Sequence, residues 1–103
     1  MALPPAAPPL QPSPAALQGV RVIEMGQLIA GPFCGKTLGE FGADVIKIEA
    51  PETGDPLRNW RLIKEGTSVW WQVQSRNKRS VALDLRQTEG QTIARRLIAE
   101  ADV

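Results

Sequence analysis

The spacing of hydrophobic positions changes several times along this chain, and each change predicts a different element. Residues 20–25, VRVIEM, are dominated by branched apolar side chains and predict a short strand covered on both faces of a sheet. In residues 26–42 the apolar positions recur at helical spacings; Pro32 suits the first turn of a helix and Gly42 the position after its end. Residues 44–49, DVIKIE, predict a second strand. A strand, a helix and a strand within about thirty residues form a βαβ unit, which crosses over right-handed into a parallel sheet.

The carboxyl-terminal part of the chain repeats this alternation. Residues 80–85, SVALDL, predict a third strand. Residues 87–101 predict a helix, because apolar residues fall on one stripe: Ile93, Ala94, Leu97, Ile98 and Ala101. Asp102 and Val103 predict the opening of a further strand. The expected fold class is therefore α/β, with a Rossmann-like parallel βαβ sheet that is the truncated first part of a larger fold; the alternative is a compact three-stranded domain that ends in a helix.

Residues 1–16 differ in composition from the rest of the chain. They contain no charged side chain and six of the nine prolines: Pro4, Pro5, Pro8, Pro9, Pro12 and Pro14. The segment has neither the basic start and unbroken apolar core of a signal peptide nor the arginines of a transit peptide. Proline removes backbone donors and favours extended conformations, so we predict a disordered Pro/Ala-rich tail over 1–16 and a folded domain over 17–103. Docking of this tail to an SH3-like partner is the less favoured alternative.

Composition excludes several classes of site. The chain has 103 residues, one cysteine and no histidine. A single cysteine excludes an intrachain disulfide framework and makes a reducing, cytoplasmic location the default. The absence of histidine excludes a His/Cys zinc site and a Ser-His-Asp arrangement within the chain. We expect Cys34 to be a small buried residue rather than a nucleophile, because free cysteine is usually buried.

Three features indicate a nucleotide ligand. The turn 26–32, GQLIAGP, resembles a phosphate-cradling turn before a helix, although it lacks the G-x-G-x-x-G spacing of dinucleotide-binding folds. Glu49 ends the second strand, at the place of a ribose-binding acid. The segment 58–86 carries seven basic and two acidic side chains, a net charge of +5 in a chain whose total is +1, together with Trp60, Trp70 and Trp71.

Cations beside aromatic faces suit a ligand that has phosphates and a purine ring. Single-stranded nucleic acid meets the same requirements. A solvated basic loop with tryptophans in the core is the plainer explanation of this composition. Residue types alone leave these alternatives open.

The order of several short motifs resembles the amino-terminal part of the family III CoA-transferases (the CaiB/BaiF type). This group includes formyl-CoA:oxalate and carnitine CoA-transferases and the α-methylacyl-CoA racemases. The resemblance covers nearly everything after the tail. It is carried by the segments 17–24, 30–32, 42–49, 54–58, 77–80, 83–84, 89–90 and 101–103.

Members of this family bind CoA on a Rossmann-like domain and transfer it from an acyl-CoA to a free carboxylate. They are longer than this chain, and two chains interlock as a homodimer. Their nucleophilic aspartate corresponds to a position beyond residue 103, so the resemblance implies no catalytic residue within this chain and no activity of the chain alone. It implies a coenzyme A thioester as substrate with a carboxylate acceptor, no tightly bound cofactor, no metal, and no membrane or nucleic-acid partner. A racemase of the same family, a non-catalytic nucleotide-binding module and a basic RNA- or DNA-binding domain are the alternatives.

Position by position, the resemblance implies five CoA-binding residues. Gln27, Ile29 and Ala30 stand where the family contacts the pantetheine and the thioester. Leu83 and Arg86 match positions around the adenine and the ADP phosphates, and Arg86 is expected to pair with the 3′-phosphate.

Some positions depart from the family pattern or have no assigned ligand contact. Ile29 replaces a glutamine of the formyl-CoA branch and cannot hydrogen-bond a carboxylate, which speaks against an oxalate-type substrate. Ala50 replaces an arginine that helps hold the nucleotide in some relatives. Asp55 and Arg58 are expected to brace the loop after the second strand as an ion pair, with direct ligand contact as the alternative.

Overall fold

The structure is a computed structural model and describes residues 1–10 and 13–103. Residues 1–10 lie in no helix or strand and are exposed, and Pro12, part of the predicted tail, lies outside the described residues. The N–H of Leu17 donates to the carbonyl of Phe41 at 2.8 Å. Gly42 has a φ of +103° and lies so close to the Ala15 methyl that a Cβ there would clash with it. Gly42 thus follows the first helix, as predicted, and also admits the incoming chain.

Three parallel strands form the main sheet: β1 (Arg21–Glu24), β2 (Asp44–Glu49) and β5 (Lys78–Ala82), in the order β1-β2-β5. Helix α1 (Ala30–Glu40) connects β1 to β2. Arg21 is paired with Asp44 across the first two strands. The predicted βαβ unit and the α/β fold class are confirmed. A hydrophobic core cluster of Val22, Ala43 and Val45 lies between the sheet and helix α1. The partly buried residues Leu17, Val20 and Leu38 pack against this cluster.

The third strand of the main sheet is shifted from its predicted position. It was expected over 80–85, but β5 pairs with β2 from Lys78 to Ala82. The ladder ends because β2 ends: Leu83 still donates its N–H to the carbonyl of Glu49 at 2.9 Å, and the chain then turns. Residues 83–87 therefore form a loop before α3 (Thr88–Ala99), which lies within the predicted range 87–101.

The segment between β2 and β5 contains short elements that the hydrophobic pattern did not predict. They are a 3₁₀ helix (Pro56–Asn59), a hairpin of β3 (Ile63–Lys64) and β4 (Thr67–Ser68), and helix α2 (Val69–Gln74). Ser68 caps α2 by accepting from the N–H of Trp71 at 3.1 Å, and its hydroxyl donates to the carbonyl of Trp60 at 2.7 Å. One serine thus joins the hairpin, the helix and the loop before them.

The last residues of the chain lie along the free edge of β1, on the side away from β2 and β5. The N–H of Val103 donates to the carbonyl of Arg21 at 3.2 Å, and the N–H of Ile23 donates to the carbonyl of Val103 at 2.9 Å. This alternation is the pattern of parallel pairing. It agrees with the predicted opening of a further strand. Within residues 1–10 and 13–103, no helix combines the length and the apolar composition that crossing a bilayer requires.

Candidate functional site

A cleft of about 580 Å³ lies at the carboxyl ends of the three parallel strands. In open α/β sheets this edge is where ligands usually bind, because the loops that leave the strands diverge there. The loop after each strand contributes to the walls. The lining residues are Met25 and Gln27 after β1, Ile48–Thr53 at the end of β2, and Leu83–Arg86 after β5.

The cleft contains three of the five residues that the resemblance assigns to CoA. Gln27, Leu83 and Arg86 all line it, although they come from two separate loops. Ile29 and Ala30 do not belong to its lining and lie at the start of α1, where the Ile29 side chain is 57% exposed. The cleft also includes the segment Glu49–Thr53, which the residue assignment did not include.

Arg86 stands at the rim of the cleft, beside Asp84. Its Nε and Nη2 donate to the two carboxylate oxygens of Asp84 at 2.9 and 3.1 Å, and its side chain is 87% exposed. This hydrogen bonding lowers the pKa of Asp84 and raises that of Arg86. A guanidinium has further N–H groups, so the pair orients Arg86 while leaving donors for a second anion.

Glu49 forms the floor of the cleft, and its carboxylate is fully engaged by protein groups. It accepts from Arg58 Nε at 2.8 Å and Nη2 at 2.9 Å, from the Ser80 hydroxyl at 2.8 Å and from the N–H of Asp55 at 2.9 Å. Burial raises the pKa of Glu49, but these donors outweigh burial and lower it to about 2. The interpretation of Glu49 as a ribose-binding acid is therefore wrong, because its lone pairs are already used.

Arg58 and Asp55 brace the loop through different partners than expected. Arg58 pairs with Glu49 and stacks on the ring of Trp71, with its guanidinium carbon 4.1 Å from the ring centroid. Asp55 instead contacts Lys47 Nζ at 2.8 Å and is almost completely buried. The ion pair expected between Asp55 and Arg58 is thus replaced by two pairs, each of which ties the loop to strand β2.

Four buried charged side chains lie beneath the turn that joins β1 to α1. Lys47 Nζ lies 2.8 Å from Asp55 and 3.5 Å from Glu24, and Lys78 Nζ lies 2.9 Å from Glu24. Both ammonium groups also donate to turn carbonyls, Lys47 to that of Gly26 and Lys78 to that of Pro32, each at 2.8 Å.

The two positive and two negative charges of this cluster balance. Burial raises the pKa of Asp55, but the adjacent ammonium group of Lys47 and hydrogen bonds from backbone N–H groups outweigh burial and lower it. Burial lowers the pKa of Lys78 against the opposing effect of Glu24. Sequence reasoning missed this cluster. Its signal was Lys47, which stands among the three apolar residues Val45, Ile46 and Ile48 of strand β2.

The basic segment 58–86 does not form the free positive surface that its composition indicated. Five of its seven cations pair with acids, four of which lie outside the segment. The pairs are Arg58–Glu49, Arg76–Glu40, Lys78–Glu24, Arg79–Asp44 and Arg86–Asp84. A nucleic-acid surface therefore loses its main support.

Cys34 is exposed, so the expectation that it would be buried is wrong. The buried face of α1 consists instead of Pro32, Gly35 and Gly39. A Cβ at Gly35 would come within 3.0 Å of the Glu24 carboxylate, so this face needs residues that are small. Within the described ranges 1–10 and 13–103, no group of three or more cysteine or acidic residues is placed to hold a metal ion.

Comparisons with known proteins agree with the family resemblance of the sequence. Residues 17–103 match the sequence model of a family described as CoA-transferase family III. The chain is 50% identical over 91 residues to succinyl-CoA–D-citramalate CoA-transferase of Chloroflexus aurantiacus, covering 87% of this chain and 23% of that protein. It is 39% identical over 88 residues to human succinyl-CoA:glutarate CoA-transferase, covering 84% of this chain and 20% of that protein.

Solved structures give the same result. A CaiB/BaiF family protein from Brucella suis superposes with a TM-score of 0.78 and 42% sequence identity, covering 87% of this chain and 25% of that one. A protein from Mycobacterium tuberculosis superposes with a TM-score of 0.75 and 35% identity. The chain thus spans about a quarter or less of the length of these relatives.

Proposed function

This chain belongs to CoA-transferase family III, and on that premise we propose that it supplies part of the CoA site of an acyl-CoA:carboxylate CoA-transferase. The observation that carries the proposal is the cleft at the carboxyl edge of the sheet. Gln27, Leu83 and Arg86, which the family resemblance assigns to CoA, all line it. Arg86 is the basic group at its rim, and the CoA 3′-phosphate is the anion that it would bind.

The proposed substrates are succinyl-CoA as donor and a dicarboxylic acid as acceptor. It is supported by the names of similar proteins, which pair succinyl-CoA or succinate with citramalate, malate or glutarate. Ile29 is apolar and cannot hydrogen-bond a carboxylate, which supports an acceptor other than oxalate.

The nucleophilic aspartate of the proposed reaction is a residue outside this chain. Three of the four aspartates in the chain are already held by cations: Asp44 by Arg79, Asp55 by Lys47 and Asp84 by Arg86. A carboxylate in a tight ion pair is a poor nucleophile because its lone pairs are engaged. The chain would therefore contribute binding and positioning within a longer, interlocked homodimer.

The test is an acyl-transfer assay of the protein as its gene encodes it, including any in-frame sequence after residue 103. Succinyl-CoA is incubated with D-citramalate, malate, glutarate or oxalate, and the CoA thioesters formed are identified by mass spectrometry. We expect a new dicarboxylyl-CoA and little or no oxalyl-CoA. Exchange of deuterium into the α-carbon of a 2-methylacyl-CoA without transfer would indicate a racemase instead. Binding of CoA without either reaction would indicate a nucleotide-binding module.

A further inference from the structure

Lys47 is buried in the central strand of the sheet, a position that apolar residues usually occupy. It lies in the central strand between Glu24 of β1 and Ser80 of β5 in the sheet register, and its side chain is only 1% exposed. Replacing buried ion pairs by apolar residues is often neutral or stabilising, so stability alone does not explain a lysine here. Its contacts indicate another role.

The ammonium group of Lys47 reaches the turn after β1. It donates to the carbonyl of Gly26 at 2.8 Å and contacts Asp55 Oδ2 at 2.8 Å. The other oxygen of Asp55 accepts from the N–H of Leu28 at 3.1 Å and from that of Leu57 at 2.9 Å. The Lys47–Asp55 pair therefore holds the backbone on both sides of Gln27.

The turn needs this support because its backbone is unusual. Leu28 has a φ of +63°, a conformation that side chains other than glycine adopt rarely. Gly26 and Gly31 touch across the turn, since a Cβ at Gly31 would lie 2.7 Å from the Gly26 Cα. Such a conformation persists only when surrounding groups fix it. Gln27, between these restrained residues, is the residue of the turn that lines the cleft.

We propose that Lys47 and Asp55 are positioning residues that act through Gln27. By fixing the turn they hold Gln27 in place for the acyl and pantetheine end of a CoA thioester. The inference rests on the proposed function for its substrate, whereas the restraint on the turn rests on the contacts alone. The nucleotide end of CoA is assigned to Leu83 and Arg86, so the pair should affect turnover more than the binding of free CoA.

The main test replaces the pair by neutral residues of similar shape, Lys47→Met together with Asp55→Asn. This removes one charge of each sign from the cluster and keeps an acceptor for the N–H of Leu28. The control is Arg21→Met together with Asp44→Asn, which removes the ion pair between β1 and β2 at the opposite end of the sheet. Both are made in the protein as its gene encodes it. If the main variant does not fold, Asp55→Glu keeps the charge and displaces the carboxylate from Leu28.

Three measurements decide the proposal. The main variant should show faster amide hydrogen exchange over residues 25–30, and the control should not. Its kcat with succinyl-CoA should fall at least about 10-fold while Kd for free CoA stays within about twofold, because a misplaced contact at the acyl end costs turnover. In a Gln27→Ala background the same pair of substitutions should change kcat by less than about twofold, because residues that act through one another are not additive.

Other results would separate the two proposals. An equal fall in kcat with and without Gln27, or unchanged exchange over 25–30, would overturn the positioning role. A wild-type protein that neither binds CoA nor transfers an acyl group would overturn the proposed function, and the role of Gln27 in it. The exchange rates would then still decide whether the pair restrains the turn.

Discussion

The carboxylate of Glu49 connects three parts of the site through hydrogen bonds. It ends β2, lies at the floor of the cleft, and accepts from the loop at Asp55, from Arg58 and from Ser80 of β5. Gly54 is required beside it, because a Cβ there would come within 2.6 Å of the Glu49 carboxylate. The loop is thus folded around one ionised carboxylate.

This arrangement predicts a loss of stability in acid. The pKa of Glu49 is lowered from 4.5 to about 2, so its contribution to the free energy of unfolding is complete above pH 4.5 and is lost as pH falls toward 2. Allowing for the partial exposure of Arg58, we expect this contribution to be about 2–3 kcal/mol.

Glu49→Gln should remove that part of the dependence of unfolding free energy on pH, measured by urea unfolding between about pH 2 and 7. Glu52→Gln, in the same loop, leaves the contacts of Glu49 intact and should retain the slope. A Glu49→Gln profile parallel to that of the wild type would contradict the assignment.

Substitution of Arg86 should affect the binding of substrate and not the rate of the chemical step. If it pairs with the CoA 3′-phosphate in ground and transition states alike, Arg86→Ala should raise KM for succinyl-CoA with kcat nearly intact. We expect about a 10-fold increase, near the lower end for charge-assisted hydrogen bonds, because the side chain is 87% exposed.

The effect of Arg86→Ala should shrink with the dephospho-CoA thioester, which lacks the 3′-phosphate. Arg95→Ala, an exposed arginine of α3 away from the cleft, serves as the control and should leave KM unchanged. An unchanged KM in Arg86→Ala would refute the phosphate contact, and a fall in kcat alone would place Arg86 in the alignment of reacting groups.

At the scale of elements, the approach of helix α1 to the sheet is set by small residues and by the turn before it. Gly31 lies in the first turn of α1 and touches Gly26, whereas Gly39 lies near the helix end with its nearest neighbour 3.4 Å from an added Cβ. The same substitution should therefore have opposite effects at the two positions.

Gly31→Ala should lower the free energy of unfolding by about 1–3 kcal/mol, because backbone atoms must move to admit the methyl group. Gly39→Ala should be neutral or raise it by up to about 1 kcal/mol, since alanine favours the helix. Thermal and urea unfolding of both variants measure the difference. Equal effects would show that the Gly26–Gly31 contact is not tight in solution.

At the scale of the whole molecule, many large apolar side chains remain on the surface. Among them are Phe33 on α1 and Phe41 just after it, each 57% exposed, Leu62 before β3 at 69%, and Ile93 and Ile98 on α3 at 44% and 47%. Strand β5 pairs with β2 on one side only within the part of the chain that the structure describes. Exposed apolar surface and an open strand edge favour association.

We therefore expect the isolated 103-residue chain to self-associate and to show no CoA-transferase activity, since the family's nucleophilic aspartate corresponds to a position beyond residue 103. Light scattering coupled to size-exclusion chromatography measures the first property, and turnover of succinyl-CoA against a boiled control measures the second. A monomer that melts cooperatively would contradict the first expectation. Turnover above the control would contradict the second.

Much of the fold follows from local patterns. Short runs of branched apolar residues placed β1 and β2, and helical spacings placed α1 and α3, because each of these elements buries one face or lies covered on both. The 3₁₀ helix, the hairpin and α2 were missed because each is short and depends on caps such as Ser68, whose partners come from the surrounding loops. The third strand was misplaced because its ends are set by the length of β2, and its own composition does not show them.

The sequence by itself determined the family, the parallel βαβ unit and the grouping of Gln27, Leu83 and Arg86, which line one cleft. Short motifs in a fixed order, and the common edge at which parallel strands end, are properties of the chain that survive any detail of packing. Only the tertiary structure decided whether the cations of segment 58–86 are paired with acids and whether Cys34 is exposed. Charge pairing and burial depend on which distant residues pack beside a side chain, and local sequence does not show this. Glu24 neutralises Lys78, which the sequence showed only as part of a basic segment, and Asp55 neutralises Lys47, which it showed only as a polar position in a strand.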